Sequence, residues 1–274
     1  MAGRVLDRAQ LKPIDWPDLV RLGAPSDGGY VVPTAQVKQA TVLLSLGIKY
    51  DWSFEKAFIA VNEAAVTIIG VDPSVGPASF ARRAVANAMA IVREALAGRR
   101  KQRRKAVAAF LNSLDYFRFF GRRHRHIRKA VSGTDSDTEV TLATLLASAG
   151  HTGQHRAFLK MDIEGAEYGV IPDIVRSADR IGAMVAEFHR VNRNADAMNL
   201  AIAELLRHFW IVHIHGNNYG GCDEVNGFPD FVEITFVNKA VAAAPAVPVS
   251  RVYPVPGLDF PNLPTRPDYP LRFD

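Results

Sequence analysis

The sequence predicts an α/β fold: one doubly wound domain whose mostly parallel sheet of about seven strands is covered by helices on both faces. Three observations carry that expectation. Short apolar runs recur and stop abruptly at glycine or an acid, over residues 41–47, 66–72, 158–162 and 181–187. The stretches between them have helical spacing, and strands alternating with helices imply a parallel sheet. A chain of 274 residues, 48% of them hydrophobic, can bury one large core.

Taken in order, residues 29–33 form a lead-in strand. Val42-Leu43-Leu44 is a buried-strand pattern that runs through Gly47 into Ile48-Lys49-Tyr50-Asp51-Trp52-Ser53-Phe54-Glu55, where Asp51 or Ser53 suits the start of a helix. The strand over 66–72 ends at Asp72-Pro73. A weaker strand is expected over 126–131, a helix over 141–149, and then the strand that ends at Asp162. Pro172 should end or kink the helix that follows, because it cannot donate a backbone hydrogen bond. After the strand over 181–187, a helix over 196–209 aligns Met198, Ile202, Leu205, Leu206 and Phe209 on one face. Strands over 210–214 and 231–237, separated by 215–221, follow without a helix and predict an antiparallel hairpin at one edge. From Val241 the chain is rich in proline, so residues 241–274 are expected to run extended along the surface.

The net charge of +5 hides an imbalance. Between Arg82 and Lys129 stand 15 Lys and Arg residues against only Glu94 and Asp115. This basic, helical stretch, residues 79–129, reads as an insertion or an elaborated crossover. It suits an anionic partner, such as a sugar nucleotide, a phosphorylated glycan or a lipid headgroup in peripheral membrane contact, or it is a solvated helix face with its aromatics on the core. A nucleic-acid partner is not expected, since no recognised module is present.

Cys222 is the only cysteine, so no intrachain disulfide forms, and it reads as a bystander thiol. Residues 1–7 lack a secretory pattern and no stretch approaches the ~20 apolar residues of a membrane span, so a soluble, cytoplasmic protein is expected.

Four segments together resemble one family: LKMDIEGAEYGVI, SLGIKYDWSFE, RLGAPSDGGYVV and VAEFH look like the FkbM-type methyltransferases, a branch of the S-adenosylmethionine-dependent class I group. The resemblance covers roughly residues 20–75 and 140–240, with the DIEGAE block its most specific part. It implies a Rossmann-like class I methyltransferase fold, S-adenosylmethionine as cofactor, and an acceptor hydroxyl on a sugar, glycan or secondary metabolite. One position departs from the class I pattern: the acid common two residues before the turn glycine is Ser45 here.

Ligands in open α/β sheets gather where strands end. Gly47 allows close backbone approach, and Asp72 is placed for a ribose diol or for a turn before Pro73. Tyr50 and Asp51, in the same turn as Gly47, complete the candidate cofactor residues, with Asp51 equally suited to capping. The segment Asp27-Gly28-Gly29-Tyr30 is a turn by composition, and the resemblance implies a pocket-lining role. Asp162 and Glu164 flank one apolar residue and so point to one side when extended, and Glu187 and His189 repeat that spacing. These four are the candidate catalytic residues, as general base for a hydroxyl or as holders of a divalent cation; capping and surface roles are the alternatives. No histidine spacing supports a metal site, and the pair His151 and His155 sits beside glycines. His213 and His215 share a strand face, and His215, Asn217 and Asn218 suit hydrogen bonding to a polyhydroxyl acceptor or an edge-strand turn.

The leading expectation is an S-adenosylmethionine-dependent O-methyltransferase. The alternative is a non-catalytic protein of the same fold that binds an anionic polymer or membrane through its basic segment, a reading that Ser45 keeps open. A nucleotide-dependent oxidoreductase ranks last, since the turn lacks G-x-G-x-x-G.

Overall fold

The structure is a computed structural model that describes residues 5–121, 123–150, 153–223, 227–241 and 251–273. An antiparallel ribbon of β1 (Leu19–Leu22) and β2 (Tyr30–Pro33) leads through α1 (Thr34–Gln39) to β3 (Val42–Leu46), α2 (Ser53–Val61) and β4 (Thr67–Val71). Two long helices, α3 (Pro77–Leu96) and α4 (Arg100–Phe119), precede β5 (Arg125–Ile127), the small pair β6 (Ala130–Val131) and β7 (Glu139–Val140), and α5 (Leu142–Ser148). The remaining elements are β8 (Ala157–Met161), α6 (Glu167–Arg176), β9 (Ile181–Phe188), α7 (Ala195–Leu205), β10 (Phe209–Asp223) and β11 (Phe228–Asn238).

One seven-stranded sheet has the order β10-β11-β9-β8-β3-β4-β5. Only β11 runs antiparallel to its neighbours within it. The chain leaves β3 through β4 and β5 on one side and returns through β8 and β9 on the other, which makes the β3/β8 rim a topological switch point.

Alternation along the strands sorts side chains between the two faces. Leu44, Leu46, Leu159 and Met161 join the core under α5, α6 and α7, whereas Leu43 and Phe158 join Tyr30, Phe54 and Phe58 on the other face. Ser45 and Lys160 share the parity of Leu43 and Phe158. Two polar side chains of otherwise apolar strands are therefore buried toward α2.

Several expectations are corrected. Tyr30–Pro33 is a strand, but it belongs to the separate ribbon. The weak strand divides: Arg125–Ile127 joins the edge of the sheet, and Ala130–Val131 pairs with Glu139–Val140. Helix α6 continues through Pro172, because Val170, Ile171 and Ile174 bury its apolar face on both sides of the proline. Phe209 opens β10 rather than closing α7, and residues 215–221 lie inside β10, where a register shift between Asn217 and Cys222 absorbs the glycines. His151 lies outside the described residues.

Helices α3 and α4 pack on each other and are rooted beside the β3–α2 turn. Phe80 and Tyr116 stack at 3.9 Å between centroids, both against Trp52, whose indole N–H donates to Asp115 at 2.8 Å. The described tail, residues 251–273, is pinned to β10 rather than loosely laid on it: His213 Nε2 meets Asp259 at 2.8 Å, and Tyr269 O–H donates to the Gly220 carbonyl at 2.9 Å. Among the described residues no helix is long and apolar enough to cross a membrane.

Candidate active site

The parallel strands end level with one another. Leu46 stands beside Val71 and Met161, and Met161 beside Ala186, so Gly47, Asp72, Asp162 and Glu187 come next along one rim. Gly47 has φ +81°, and a Cβ there would lie 1.7 Å from the Asp162 carbonyl oxygen. A glycine is therefore needed for the close approach of the two strand ends. Lys49, Glu164 and Arg190, in the loops after β3, β8 and β9, adopt positive φ although none is glycine. Strain of this kind concentrates at functional sites.

Two cavities adjoin at this rim. One, of about 300 Å³, is lined by acids and aromatics, among them Asp27, Tyr30, Glu55, Asp162, Glu187, His189, Asn217, Tyr219 and Phe231. The other, of about 330 Å³, lies over β4 and β6 and is lined by Val71, Asp72, Pro73, Ser74, Lys129, Ala130 and Val131. Gly47, Lys49, Asp162 and Glu164 line both. The Lys49–Glu164 ion pair spans that shared boundary.

Asp72 is buried, and its carboxylate is fully engaged. Oδ2 accepts from the backbone N–H groups of Ile48 at 3.1 Å and Lys49 at 2.8 Å, and Oδ1 accepts from Ser74 N–H at 2.7 Å and Ser74 Oγ–H at 2.5 Å. Burial alone would raise its pKa; the bonds from Ser74 and Lys49 outweigh burial and hold it below the usual value. Asp72 thus shapes the turn after β3, and a ribose diol can reach it only if the Ser74 hydroxyl turns away.

Ser45 meets a buried carboxylate from α2. Glu55 is completely buried and accepts a hydrogen bond from the Ser45 hydroxyl. It also faces Lys160 Nζ at 3.7 Å, and that ammonium donates to the Gly47 carbonyl at 3.0 Å. Asp51 accepts from Ser53 N–H at 2.8 Å in a local turn bond just before α2, whose N-cap position is Trp52, and also lines the acidic cavity.

In the acidic cavity, His189 and Glu187 are both buried. His189 Nδ1 bonds Glu167 Oε1 at 2.9 Å, and the same oxygen accepts the Gly165 N–H at 2.9 Å, so Glu167 ties the turn after β8 to the end of β9. Burial opposes charge on His189, but Glu167 and the nearby carboxylates prevail and raise its pKa. Burial pushes Glu187 well above the usual carboxylate range, and the Asp162 and Glu233 charges add to that. Burial also raises Asp162 and Asp27. Asn217 donates to Glu187 at 2.8 Å. Asp162, Glu164 and His189 each offer a ligand atom, all within 4.8 Å of one another, a set able to hold a metal ion.

Three expected residues lie elsewhere. Tyr50 lines neither cavity; it packs edge-on against Phe80 with the Arg83 guanidinium 4.2 Å over its ring. His215 is buried between Glu233 at 3.2 Å and the tail's Asp268 at 2.9 Å. Asn218 donates to the tail carbonyls of Leu263 and Arg266, both at 3.1 Å. Both residues latch the tail because they lie within β10, under the returning chain. Lys160, Glu55 and Glu167 were missed as site residues; a lysine inside an apolar strand was the one local signal of them.

A sheet with five parallel strands around a central switch, closed at one edge by an antiparallel hairpin, is the plan of the Rossmann-like class I methyltransferases. The FkbM methyltransferase domain matches residues 66–226, and the chain belongs to that family. No curated protein matches the chain. Among solved structures, an SAH-bound methyltransferase from Podospora anserina is 12% identical, covering 75% of each chain at a TM-score of 0.36. An O-methyltransferase from Bacillus cereus in complex with SAH is 11% identical, covering 74% of this chain and 76% of its own at a TM-score of 0.34. Precorrin-6y C5,15-methyltransferase from Geobacter metallireducens is 12% identical, covering 75% and 86% at 0.35.

Proposed function

We propose that this chain is an S-adenosylmethionine-dependent O-methyltransferase whose acceptor is a hydroxyl of a sugar, glycan or polyhydroxylated metabolite. The observation that carries this reading is the pair of adjoining cavities at the strand rim, one largely apolar with a buried acid at its edge, the other acidic and rich in hydrogen-bonding groups.

The residues present fit the cofactor. Val71, Pro73, Ala130 and Val131 offer apolar surface for an adenine, with Ser74 and Asp72 at the ribose and Gly47 at the amino-acid portion. The cofactor supplies an electrophilic methyl group on a sulfonium. The chain's own task is to align the acceptor, exclude water and remove a proton. Asp162 stands at the boundary of both cavities, and its raised pKa suits a base that takes the hydroxyl proton near neutral pH. His189, with Nε2 at 3.8 Å from Asp162 Oδ1, faces that carboxylate. Glu187, whose pKa burial raises, lies beside Asn217 to hydrogen-bond a second acceptor oxygen, and Tyr219 and Phe231 give a sugar ring an aromatic wall.

The test is transfer of a labelled methyl group to a panel of hydroxylated sugars and glycans. An O-methylated product made by the wild type, and reduced by at least about 100-fold in Asp162→Asn, supports the reading. Labelled product on nitrogen or sulfur acceptors alone would overturn the assignment to oxygen.

A further inference from the structure

We infer that Asp162, Glu164 and His189 form a divalent-cation site of the Mn²⁺ type at the boundary of the two cavities. The inference deepens the proposed function and rests on reading the acidic cavity as the acceptor site.

Acids gathered at a rim are common, and the argument begins instead with the imidazole. His189 is only 5% exposed, yet among the described residues its Nε2 has no hydrogen bond. Around that nitrogen stand Asp162 Oδ1 at 3.8 Å, Glu164 Oε2 at 3.9 Å and Glu187 Oε1 at 3.7 Å. Each is too distant for a hydrogen bond, and together they enclose a gap with a nitrogen on one wall and oxygens on the others. The ligand atoms of Asp162, Glu164 and His189 all lie within 4.8 Å of one another, and ligands at about 2.1 Å from an ion lie about 3.0 Å apart when adjacent, so contraction by up to about 1.8 Å would close this set around a cation.

The second ring nitrogen supports the same reading. A metal-binding histidine usually gives its other N–H to a carboxylate, which fixes the tautomer and aims the free nitrogen. His189 Nδ1 meets the fully buried Glu167 at 2.9 Å, and Glu167 in turn holds the turn that carries Glu164. Glu164 needs its left-handed backbone to present its carboxylate. One of its oxygens takes Lys49 and the other faces the gap.

Two carboxylates and one imidazole suit Mn²⁺, and three protein ligands leave positions open for acceptor hydroxyls. A hydroxyl bound there loses its proton more readily. With Asp162 engaged as a ligand, that proton leaves to solvent water rather than to Asp162.

The test is Mn²⁺ titration of the chelator-treated full chain, followed by electron paramagnetic resonance and calorimetry without cofactor or acceptor. The expected result is one site per chain with Kd below about 100 μM. Asp162→Asn and His189→Gln should each weaken it at least 10-fold, and Glu167→Gln by about 10- to 100-fold. If His189→Gln does not fold, Asp162→Asn, at a partly exposed position, still decides the question. No saturable uptake at millimolar Mn²⁺, or uptake unaltered in Asp162→Asn, would overturn the site. Methyl transfer that persists in chelator, with no Mn²⁺ uptake, would discard the metal and keep the function. Mn²⁺ uptake without any methyl transfer would keep the site and discard the function.

Discussion

Removing Asp268 should change how the protein's stability depends on pH, because His215 is buried against two carboxylates. Burial favours the neutral imidazole, but the bonds to Asp268 and Glu233 prevail and raise its pKa to about 10. In the unfolded chain it titrates near its ordinary value of about 6.5. A folded-state pKa above the unfolded one gives stability that is complete below about pH 6.5 and lost as pH rises through the folded value. Between these limits the native state holds one more proton, so stability falls by up to about 1.4 kcal/mol per pH unit. From pH 7 to pH 9 the contribution of His215 should decline by about 2.5 kcal/mol. The assay is urea unfolding at both pH values for the wild type and Asp268→Asn, with proteolysis of the tail as a second readout. The variant should lose less stability over that interval, since only the Glu233 bond and the Asp259 charge then support the imidazolium, and its tail should be cut sooner at pH 7. Equal pH dependence in the two proteins would refute the latch.

Further outcomes follow from buried contacts near the rim. Lys160→Met leaves Glu55 buried without its cation and should cost about 3–5 kcal/mol, while adding Glu55→Gln should restore more than half of that; additive losses in denaturant midpoints would contradict the pairing. Gly47→Ala places a Cβ against the Asp162 carbonyl at a left-handed position, so it should lose at least about 2 kcal/mol and several degrees of Tm, with SAH binding weakened in step.

The sheet was legible because each central strand ends where an apolar run meets glycine or an acid, and level register then places Gly47, Asp72, Asp162 and Glu187 together. The two-residue spacing of Asp162 and Glu164, and of Glu187 and His189, marked adjacent strand ends, but Glu164 lies in a turn with left-handed backbone rather than extended as that spacing suggested. What could not be read locally depends on elements remote in sequence. Glu55 meets Ser45 only because α2 lays its buried face over that strand. His215 and Asn218 turn away from the cavities because a tail about 50 residues downstream folds back onto β10. Tyr50 is drawn to Phe80 and Arg83 by the packing of α3, which the turn sequence does not reveal. Pro172 did not end its helix, since burial of the neighbouring isoleucines outweighs one lost backbone bond.

The central claim is that the rim between β3, β4 and β8 binds a methyl donor. Calorimetric titration of the wild type and Asp72→Asn with S-adenosylhomocysteine, with NAD as control, tests it directly. The account predicts selective, one-to-one binding of S-adenosylhomocysteine by the wild type, weakened at least 10-fold in a folded Asp72→Asn protein. Absence of binding, equal affinity for NAD, or undiminished affinity in the variant would contradict it.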